Sequence, residues 1–381
     1  MTNQELTYWV TLALMPKIWT RRKNEIYVKC FNHVPRISII DLFEESSCWE
    51  ELGLTEEEVD VFRNAHSQLA NNSFVVEDLL SQGYTILPIH SEEYPRLLKE
   101  NLKSGAPTVI FAKGNMRLLK EPSIAIVGSR KADEVSLRFT DNIARKASSD
   151  QKVVVSGFAK GIDRQALDSS LECGGDSIIV LPQGIMTFSS GFKQYYKYMT
   201  QGHILVISSF APKAPWSKEF AMARNPIIYG LASDIFVAQS DNKGGTWSGV
   251  IDGLRKNRRI YVRLPESGEK NANMELIDKG AVAVDFYGAV CDSKVSVEAD
   301  EPKIEKPLVR DDIGARIFEL LSNGGSFGLK EIRSALDLQL SDAKLRNIMN
   351  ALSDIQKFKD GRRVLYCLKA ALPKDLILEF D

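Results

Sequence analysis

Short apolar stretches alternate with helix-like segments through the middle of the chain. The predicted strands are Tyr84–Ile89, Thr108–Ala112, Ser123–Val127, Lys152–Val155, Ser177–Leu181, Ile204–Ser208, Asp234–Ala238 and Arg259–Val262. Between two of them, Phe139, Ile143 and Ala147 recur on one face of the predicted helix Glu134–Ser149. Apolar strands separated by helices are typical of a parallel sheet covered on both faces. We therefore predict an α/β fold with a mostly parallel sheet over residues 84–291.

Helical periodicity dominates the segment before this sheet. Apolar residues recur there at helical spacing, and Thr55 with Glu58 forms the capping-box signature that opens a helix. We predict a small helical module over residues 1–83. It has no residue with an obvious chemical role, so docking on the sheet or contacting a partner are its expected functions.

A polar, acidic stretch separates the sheet from the C-terminal part of the chain. Residues 292–308 contain almost no large apolar side chains and are predicted to be a linker. The elements predicted within residues 309–381 are the helices Asp311–Leu321, Leu329–Ala335 and Ser341–Leu352 and a hairpin over Phe358–Leu368. Three helices followed by a two-stranded ribbon are typical of a winged helix. Its third helix could enter a DNA groove, but the apolar face of that helix favours a protein-interaction role.

Composition narrows the kind of site to expect. Lys and Arg total 49 against 50 Asp and Glu, so any nucleic-acid site must be a local patch of positive charge. The five cysteines lack CxxC spacing and the four histidines are dispersed, so we predict no metal site and no cofactor. No apolar run reaches the ~18 residues of a membrane-spanning helix, and the N-terminus is a poor signal peptide. We expect a cytoplasmic protein.

The first candidate binding segment follows the strand Ser123–Val127. Gly128 allows a close backbone turn, Ser129 offers a hydroxyl and Arg130 a bidentate guanidinium. The next helix would direct its free N–H groups and its dipole at the same place, which suits a phosphate. A plain turn and a surface ion pair are the alternative interpretation of these three residues.

A second glycine-bearing loop follows the next strand. It contains Ser156, Gly157, Lys160 and Gly161, in which the glycines allow close backbone approach and the lysine adds a positive charge at a helix start. For Asp163, capping that helix is the favoured role over contact with a ligand. Two such loops on one sheet edge are stronger support for a phosphate site than either alone.

Two further segments are expected at the same edge. Gly244, Gly245 and Thr246 form another helix-opening anion cradle after the strand Asp234–Ala238. Arg224 is expected at the mouth of the crevice, with Asn225 as the cap of the helix that follows. Neither Walker nor GxGxxG spacing occurs in these loops, which argues against a standard nucleoside triphosphatase or dinucleotide site.

Aromatic residues and lysines are interleaved after the strand Ser177–Leu181. The aromatic residues are Phe188, Phe192, Tyr195, Tyr196 and Tyr198, and the cations are Lys193 and Lys197. Stacking on single-stranded bases and packing in the core are balanced as interpretations of this stripe. No nucleophile–histidine pair or acidic pair at metal-binding spacing accompanies the loops, so we predict no catalytic residues and no enzyme activity.

Taken in order, these motifs resemble the DprA/Smf DNA-processing family. Its GSR turn, SGxAxGID loop, GG pair and RN-bearing helix correspond to Gly128–Arg130, Ser156–Asp163, Gly174–Gly175 and Arg224–Asn225. The resemblance covers nearly the whole chain. It implies a Rossmann-like core of the Smf/DprA–LOG superfamily, preceded by a SAM-like helical module and followed by a winged helix.

The resemblance also implies a function. Family members bind single-stranded DNA, self-associate, and help to load RecA during natural transformation or recombination, so this chain is expected to protect single-stranded DNA, contact a RecA-type recombinase and form a homodimer or larger homo-oligomer. The implied DNA-pocket residues are Arg130, Ser156, Lys160, Arg224 and Asn225, with Lys193 at a position that is often basic or polar in the family.

Departures from the family pattern leave two alternatives open. The histidine that usually follows the GID motif is Leu167 here. The family's Ser-Gly-Ser turn before the last helix is replaced by a longer turn that begins with Gly244–Thr246. A nucleotide-sensing or DNA-sensing module of a phage-defence system is one alternative. The other is a nucleotide hydrolase of the LOG group, which we rank last because the glutamate of that group's PGGxGTxxE motif is missing here.

Overall fold

The computed structural model describes residues 1–266 and 268–291 and parts of the segment 317–368. The described positions of that segment are 317, 320–321, 326–336, 345–346, 349, 352, 355–360 and 363–368. The chain divides into two compact units, Met1–Val295 and Ser296–Asp381. In the part of the chain that is described, no helix is both long and apolar enough to cross a membrane.

Helices make up the first part of the larger unit, as predicted. They are α1 (Asn3–Leu14), α2 (Thr20–Asn32), α3 (Asp41–Glu44), α4 (Cys48–Glu51), α5 (Glu56–His66) and α6 (Leu69–Ser81). The predicted capping box is present at the start of α5, where the Thr55 hydroxyl accepts from the Glu58 N–H and the Glu58 carboxylate accepts from the Thr55 N–H. A second capping box, formed by Thr2 and Glu5, opens α1.

A nine-stranded sheet follows. Its strands are β1 (Thr85–Pro88), β2 (Val109–Gly114), β3 (Ser123–Val127), β4 (Val153–Ser156), β5 (Ser177–Val180), β6 (Ile204–Ser208), β7 (Asp234–Val237), β8 (Arg259–Arg263) and β9 (Val282–Val284). Their spatial order is β1-β2-β6-β5-β4-β3-β7-β8-β9. Among the described strand pairs of this sheet, β1–β2 and β2–β6 are antiparallel and the others are parallel. The mostly parallel α/β sheet is thus confirmed, while β9 was not predicted.

Helices cover both faces of this sheet. Those after β1 are α7 (Arg96–Leu102), α8 (Glu134–Ser149), α9 (Ile162–Glu172), α10 (Ser189–Gln194), α11 (Tyr196–Thr200), α12 (Lys218–Ala223), α13 (Asn225–Leu231), α14 (Gly245–Arg255) and α15 (Asn273–Asp278). Ile124 and Ile126 of β3 pack with α8 and α9. The alternate residues Ala125 and Val127 belong to the larger core cluster that includes α13. The central strand is therefore buried on both faces.

The helical segment before the sheet shares the sheet's core. Buried residues of α1 to α6 and of the sheet form one continuous hydrophobic cluster. The Asn24 side chain of α2 donates hydrogen bonds to the carbonyl oxygens of Ser104 and Ala106, at 2.8 and 2.7 Å, and accepts one from the Thr108 hydroxyl at 3.0 Å. These contacts fix α2 against the segment that leads into β2.

The order of the strands creates a switch point beside β3. From β3 the chain moves outward through β4, β5 and β6, and then crosses to the other side of β3 to form β7, β8 and β9. The loops that leave the carboxyl ends of β3 and β7 therefore diverge. In open α/β sheets a crevice for ligands forms at such a point.

The second unit is described only in part. It contains α16 (Leu329–Ala335) and the antiparallel strands β10 (Ile355–Asp360) and β11 (Arg363–Leu368). The predicted helix at 329–335 and the strands of the predicted hairpin are confirmed. The predicted linker at 292–308 and most of the residues of the predicted winged helix at 309–381 lie outside the described residues.

Candidate nucleic-acid interface

The loops after β3 and β4 touch at the carboxyl edge of the sheet. Gly161 has a φ of +79°, and a methyl group added to it would lie 2.5 Å from the carbonyl oxygen of Ser129. The Ile162 N–H donates a hydrogen bond to that same oxygen at 3.3 Å. A side chain at position 161 would push the two loops apart, so this glycine is needed for a close approach as well as for its positive φ.

Gln239, which follows β7, joins the third loop to the first. Its carbonyl oxygen accepts from the Ser129 N–H at 2.9 Å, and its side-chain oxygen accepts from the Asp133 N–H at 3.0 Å. Asp133 in turn caps α8 by accepting from the Ser136 N–H at 2.7 Å. Gln239 was missed from the sequence because it belongs to no motif, yet it fixes the loops on both sides of the switch point.

Arg224 lies deep at this edge. Its side chain is 4% exposed, and its Nη2 pairs with Asp163 Oδ2 at 3.6 Å. Among the residues that the structure describes, the Nε and Nη1 atoms of Arg224 have no hydrogen-bond partner. The guanidinium packs directly on Gly157, where a side chain would overlap it. The prediction that Asp163 caps α9 is wrong, because its carboxylate is buried against Arg224 and Gly161 occupies the cap position.

Burial dominates the electrostatics of this pair. It raises the pKa of the Asp163 carboxyl, an effect that the Arg224 guanidinium and the backbone N–H groups of Ala159 and Gly157 partly offset. Burial also lowers the pKa of Arg224, and the nearby Arg130 lowers it further. Two guanidinium nitrogens without partners, next to a second arginine, form an environment that an anion would stabilise.

The start of α13 meets the start of α14. Asn225 is the first residue of α13 and donates from its side chain to the Gly245 carbonyl oxygen at 3.3 Å. The prediction that Asn225 caps α13 is wrong, because Arg224 already has helical φ and ψ and occupies the cap position. Gly244 caps α14 with a φ of +98° and open space around it, and Thr246 lies in the helix's first turn. That turn directs free backbone N–H groups outward.

The remaining predicted residues differ in exposure. Arg130, Lys160 and Lys193 have exposed side chains, each after the carboxyl end of a parallel strand. Ser156 is buried, and its hydroxyl donates to the Ile126 carbonyl oxygen at 2.8 Å, which ties β4 to β3. Within the described residues, no group of three or more His, Cys, Asp or Glu side chains is placed to hold a metal ion.

Most of the aromatic stripe belongs to the core. Phe188 and Tyr195 are buried and Phe192 packs against the core cluster, whereas Tyr196 is 67% exposed. Phe158, which the sequence did not single out, has a φ of +61° and makes edge contacts with Phe188 and Tyr195. A positive φ at a non-glycine residue is uncommon and marks this loop as tightly constrained.

Comparison with known proteins gives the family. The model of the DNA recombination-mediator protein A family matches residues 85–293, which is more than half of the chain. The chain belongs to the DNA recombination-mediator protein A family. This confirms the resemblance to DprA/Smf proteins, and the matched segment contains all of the loops described above.

Sequence identity to individual DprA proteins supports the same family assignment. The chain is 32% identical to DNA processing protein DprA of Streptococcus pneumoniae over 183 residues, which cover 47% of this chain and 64% of that protein, somewhat less than two thirds. It is 30% identical to DNA processing protein DprA of Bacillus subtilis over 207 residues, covering 53% of this chain and 69% of that protein. The X-ray structure of the pneumococcal protein aligns with a TM-score of 0.59 and 24% identity over 74% of this chain and 95% of that one. This alignment confirms the Rossmann-like fold.

Proposed function

We propose that this chain binds single-stranded DNA at the carboxyl edge of its sheet, protects it, and helps to load a RecA-type recombinase onto it. The observation that carries the proposal is the contact of the buried Arg224 guanidinium with the loop after β4, at the sheet edge where the other two glycine-bearing loops also lie. Two nitrogens of this guanidinium have no hydrogen-bond partner among the described residues. Arg130 on the loop after β3 and Lys160 on the loop after β4 are exposed and add positive charge to this edge. Phosphate groups are the anions that such an edge suits.

Relatives support DNA as the source of those phosphates. The matched family is described as a DNA recombination mediator, and the pneumococcal and B. subtilis relatives are DNA processing proteins. We further propose that the chain has no catalytic activity, acts in the cytoplasm and assembles as a homodimer or larger homo-oligomer.

The direct test is fluorescence anisotropy of a labelled single-stranded oligonucleotide at several salt concentrations. Each neutralised phosphate of a single strand contributes about 0.7 to the slope of log K against log salt, so affinity should fall steeply as salt rises. A duplex of the same length should bind more weakly. An affinity that does not change with salt concentration, or tighter binding to the duplex than to the single strand, would contradict the proposal.

A further inference from the structure

Two phenylalanines stack on each other at the carboxyl edge of the sheet. Phe210 lies in the loop after β6 and Phe220 lies in α12, and their ring centroids are 4.2 Å apart with 17° between the ring planes. Both residues are half-buried, and neither belongs to a hydrophobic cluster of the described residues. Aromatic rings contribute mainly to cores and to interfaces. Since core packing does not account for this pair, a binding surface is the alternative.

A tryptophan belongs to the same segment of the chain. Trp216 precedes Ser217, the cap of α12, and is 52% exposed. Ser217 fixes the start of this helix by accepting from the Phe220 N–H at 3.0 Å. Phe210, Trp216 and Phe220 thus form an aromatic platform of three rings, all outside the hydrophobic clusters of the described residues.

The loop that carries this platform is held by hydrogen bonds of the protein itself. The Gly184 N–H donates to the Ala214 carbonyl oxygen at 2.9 Å, which joins the loop after β6 to the loop after β5. The Phe210 N–H donates to Ser208 Oγ at 3.1 Å. A surface that is already ordered loses little conformational entropy when a ligand stacks on it.

The platform is continuous with the candidate DNA site. The Arg224 N–H donates to the Phe220 carbonyl oxygen at 3.0 Å, so the two residues lie one helical turn apart on the same helix face. The Arg224 guanidinium packs on Gly157 of the loop after β4. A strand whose phosphates lie at this edge therefore has its bases within reach of the three rings.

Unpaired bases are the part of a DNA strand that suits such rings. Every base has a flat π-face, and the bases of a single strand stack on aromatic side chains whatever their sequence. In a duplex those faces are covered by the neighbouring base pairs. Phosphates are present in both forms of DNA, so contacts to the bases, rather than to the phosphates, distinguish a single strand from a duplex.

We propose that bases of the bound single strand stack on the aromatic platform of Phe210, Trp216 and Phe220. The proposal rests on the proposed DNA function and adds to it the contact that makes this edge select single-stranded DNA. It makes the affinity depend on the bases as well as on the phosphate backbone.

The test compares an oligothymidine, a duplex of the same length, and an oligonucleotide of that length whose central residues are abasic, which keeps the phosphates. Trp216→Ala removes the exposed ring, and Phe220→Leu removes one ring of the stacked pair but keeps an apolar side chain. Trp19→Ala and Phe74→Leu are the matched controls, because these residues are 85% and 71% exposed on the helical segment before the sheet. Melting temperatures check that each variant is folded.

We expect Trp216→Ala to weaken oligothymidine binding about tenfold and Phe220→Leu to weaken it severalfold, as for the loss of one stacked base. Binding of the duplex and of the abasic oligonucleotide should not change, so the preference for a single strand should narrow by the same factor. The salt dependence of oligothymidine binding should stay that of the wild type, because no phosphate contact is lost. Both controls should bind all three DNAs as the wild type does.

Wild-type affinity of Trp216→Ala and Phe220→Leu for oligothymidine would overturn the platform and leave the DNA function intact. An equal loss of affinity for the abasic oligonucleotide would also overturn it, because that loss does not come from a base. If the wild type binds no oligonucleotide at low salt, the DNA function fails and the platform fails with it.

Discussion

The Arg224 guanidinium fills the space that a side chain at position 157 would need. A methyl group on Gly157 would overlap Nη1 of Arg224, so the loop after β4 can close over the arginine only with glycine there. Asp163 pairs with the same guanidinium through Nη2, at 3.6 Å. The loop and the arginine are therefore fitted to each other, and changes in either should affect the whole edge of the sheet.

Replacing Arg224 by leucine should destabilise the protein most at neutral and higher pH. The change leaves the Asp163 carboxylate buried without its partner, and breaking a buried pair in this way costs about 3–5 kcal/mol. Burial raises the pKa of Asp163 in the folded state, so the penalty is absent below the ordinary aspartate pKa of ~3.9 and accrues as pH rises to the raised folded value. Urea unfolding at pH 5 and pH 8 measures the difference.

The double variant Arg224→Leu/Asp163→Asn is the control for this prediction. It removes the buried charge, so it should recover stability at pH 8 and lose the pH dependence that Arg224→Leu introduces. An equal loss of stability at both pH values in the single variant would show that the ionised Asp163 is not the cause.

Gly161→Ala should lower both stability and DNA affinity, because a methyl group there meets the Ser129 carbonyl oxygen at 2.5 Å and separates two loops of the site. Gly174→Ala is the matched control, since Gly174 also has a positive φ, +78°, but nothing within 4 Å of the added methyl group. The control should lose only the roughly 1–2 kcal/mol of a positive φ and should bind DNA normally. Urea unfolding and anisotropy measure the two effects, and equal behaviour of the two variants would contradict the close approach.

Arg130→Ala should reduce the salt slope of single-stranded DNA binding by about 0.7–1, because one phosphate contact is lost. Arg117→Ala removes an exposed arginine from the connection between β2 and β3 and should leave the slope unchanged. The measurement is anisotropy at four or more salt concentrations. A slope that is the same in both variants and in the wild type would argue against Arg130 as a phosphate ligand.

Truncation after Val295 removes the second compact unit and should spare most of the single-strand affinity. The residues proposed to bind phosphate all lie in Met1–Val295, which supports this expectation. Anisotropy of the truncated and full chains measures it, with circular dichroism to check that the shorter chain is folded. A near-total loss of binding by a folded truncated chain would assign DNA contacts to the C-terminal part.

Sequence patterns predicted the sheet well because its strands are apolar and buried on both faces. Only Val282–Val284 was missed, since a three-residue strand has too few positions to show a pattern. The errors at Asp163 and Asn225 have a different cause. Both were interpreted from local capping rules, but their actual contacts are with Arg224 and Gly245, which are distant in sequence. Such pairings depend on tertiary packing, as does the role of Gln239.

The three hydrogen bonds of Asn24 couple the unfolding of α2 to the unfolding of the sheet. They connect an N-terminal helix to the backbone at Ser104 and Ala106 and to the Thr108 hydroxyl, just ahead of the sheet's second strand. Because none of these contacts survives the departure of the helix, the helix and that strand should exchange their amide hydrogens with similar protection, as parts of one cooperative foldon. The helical segment would then unfold together with the sheet and not as an independent unit.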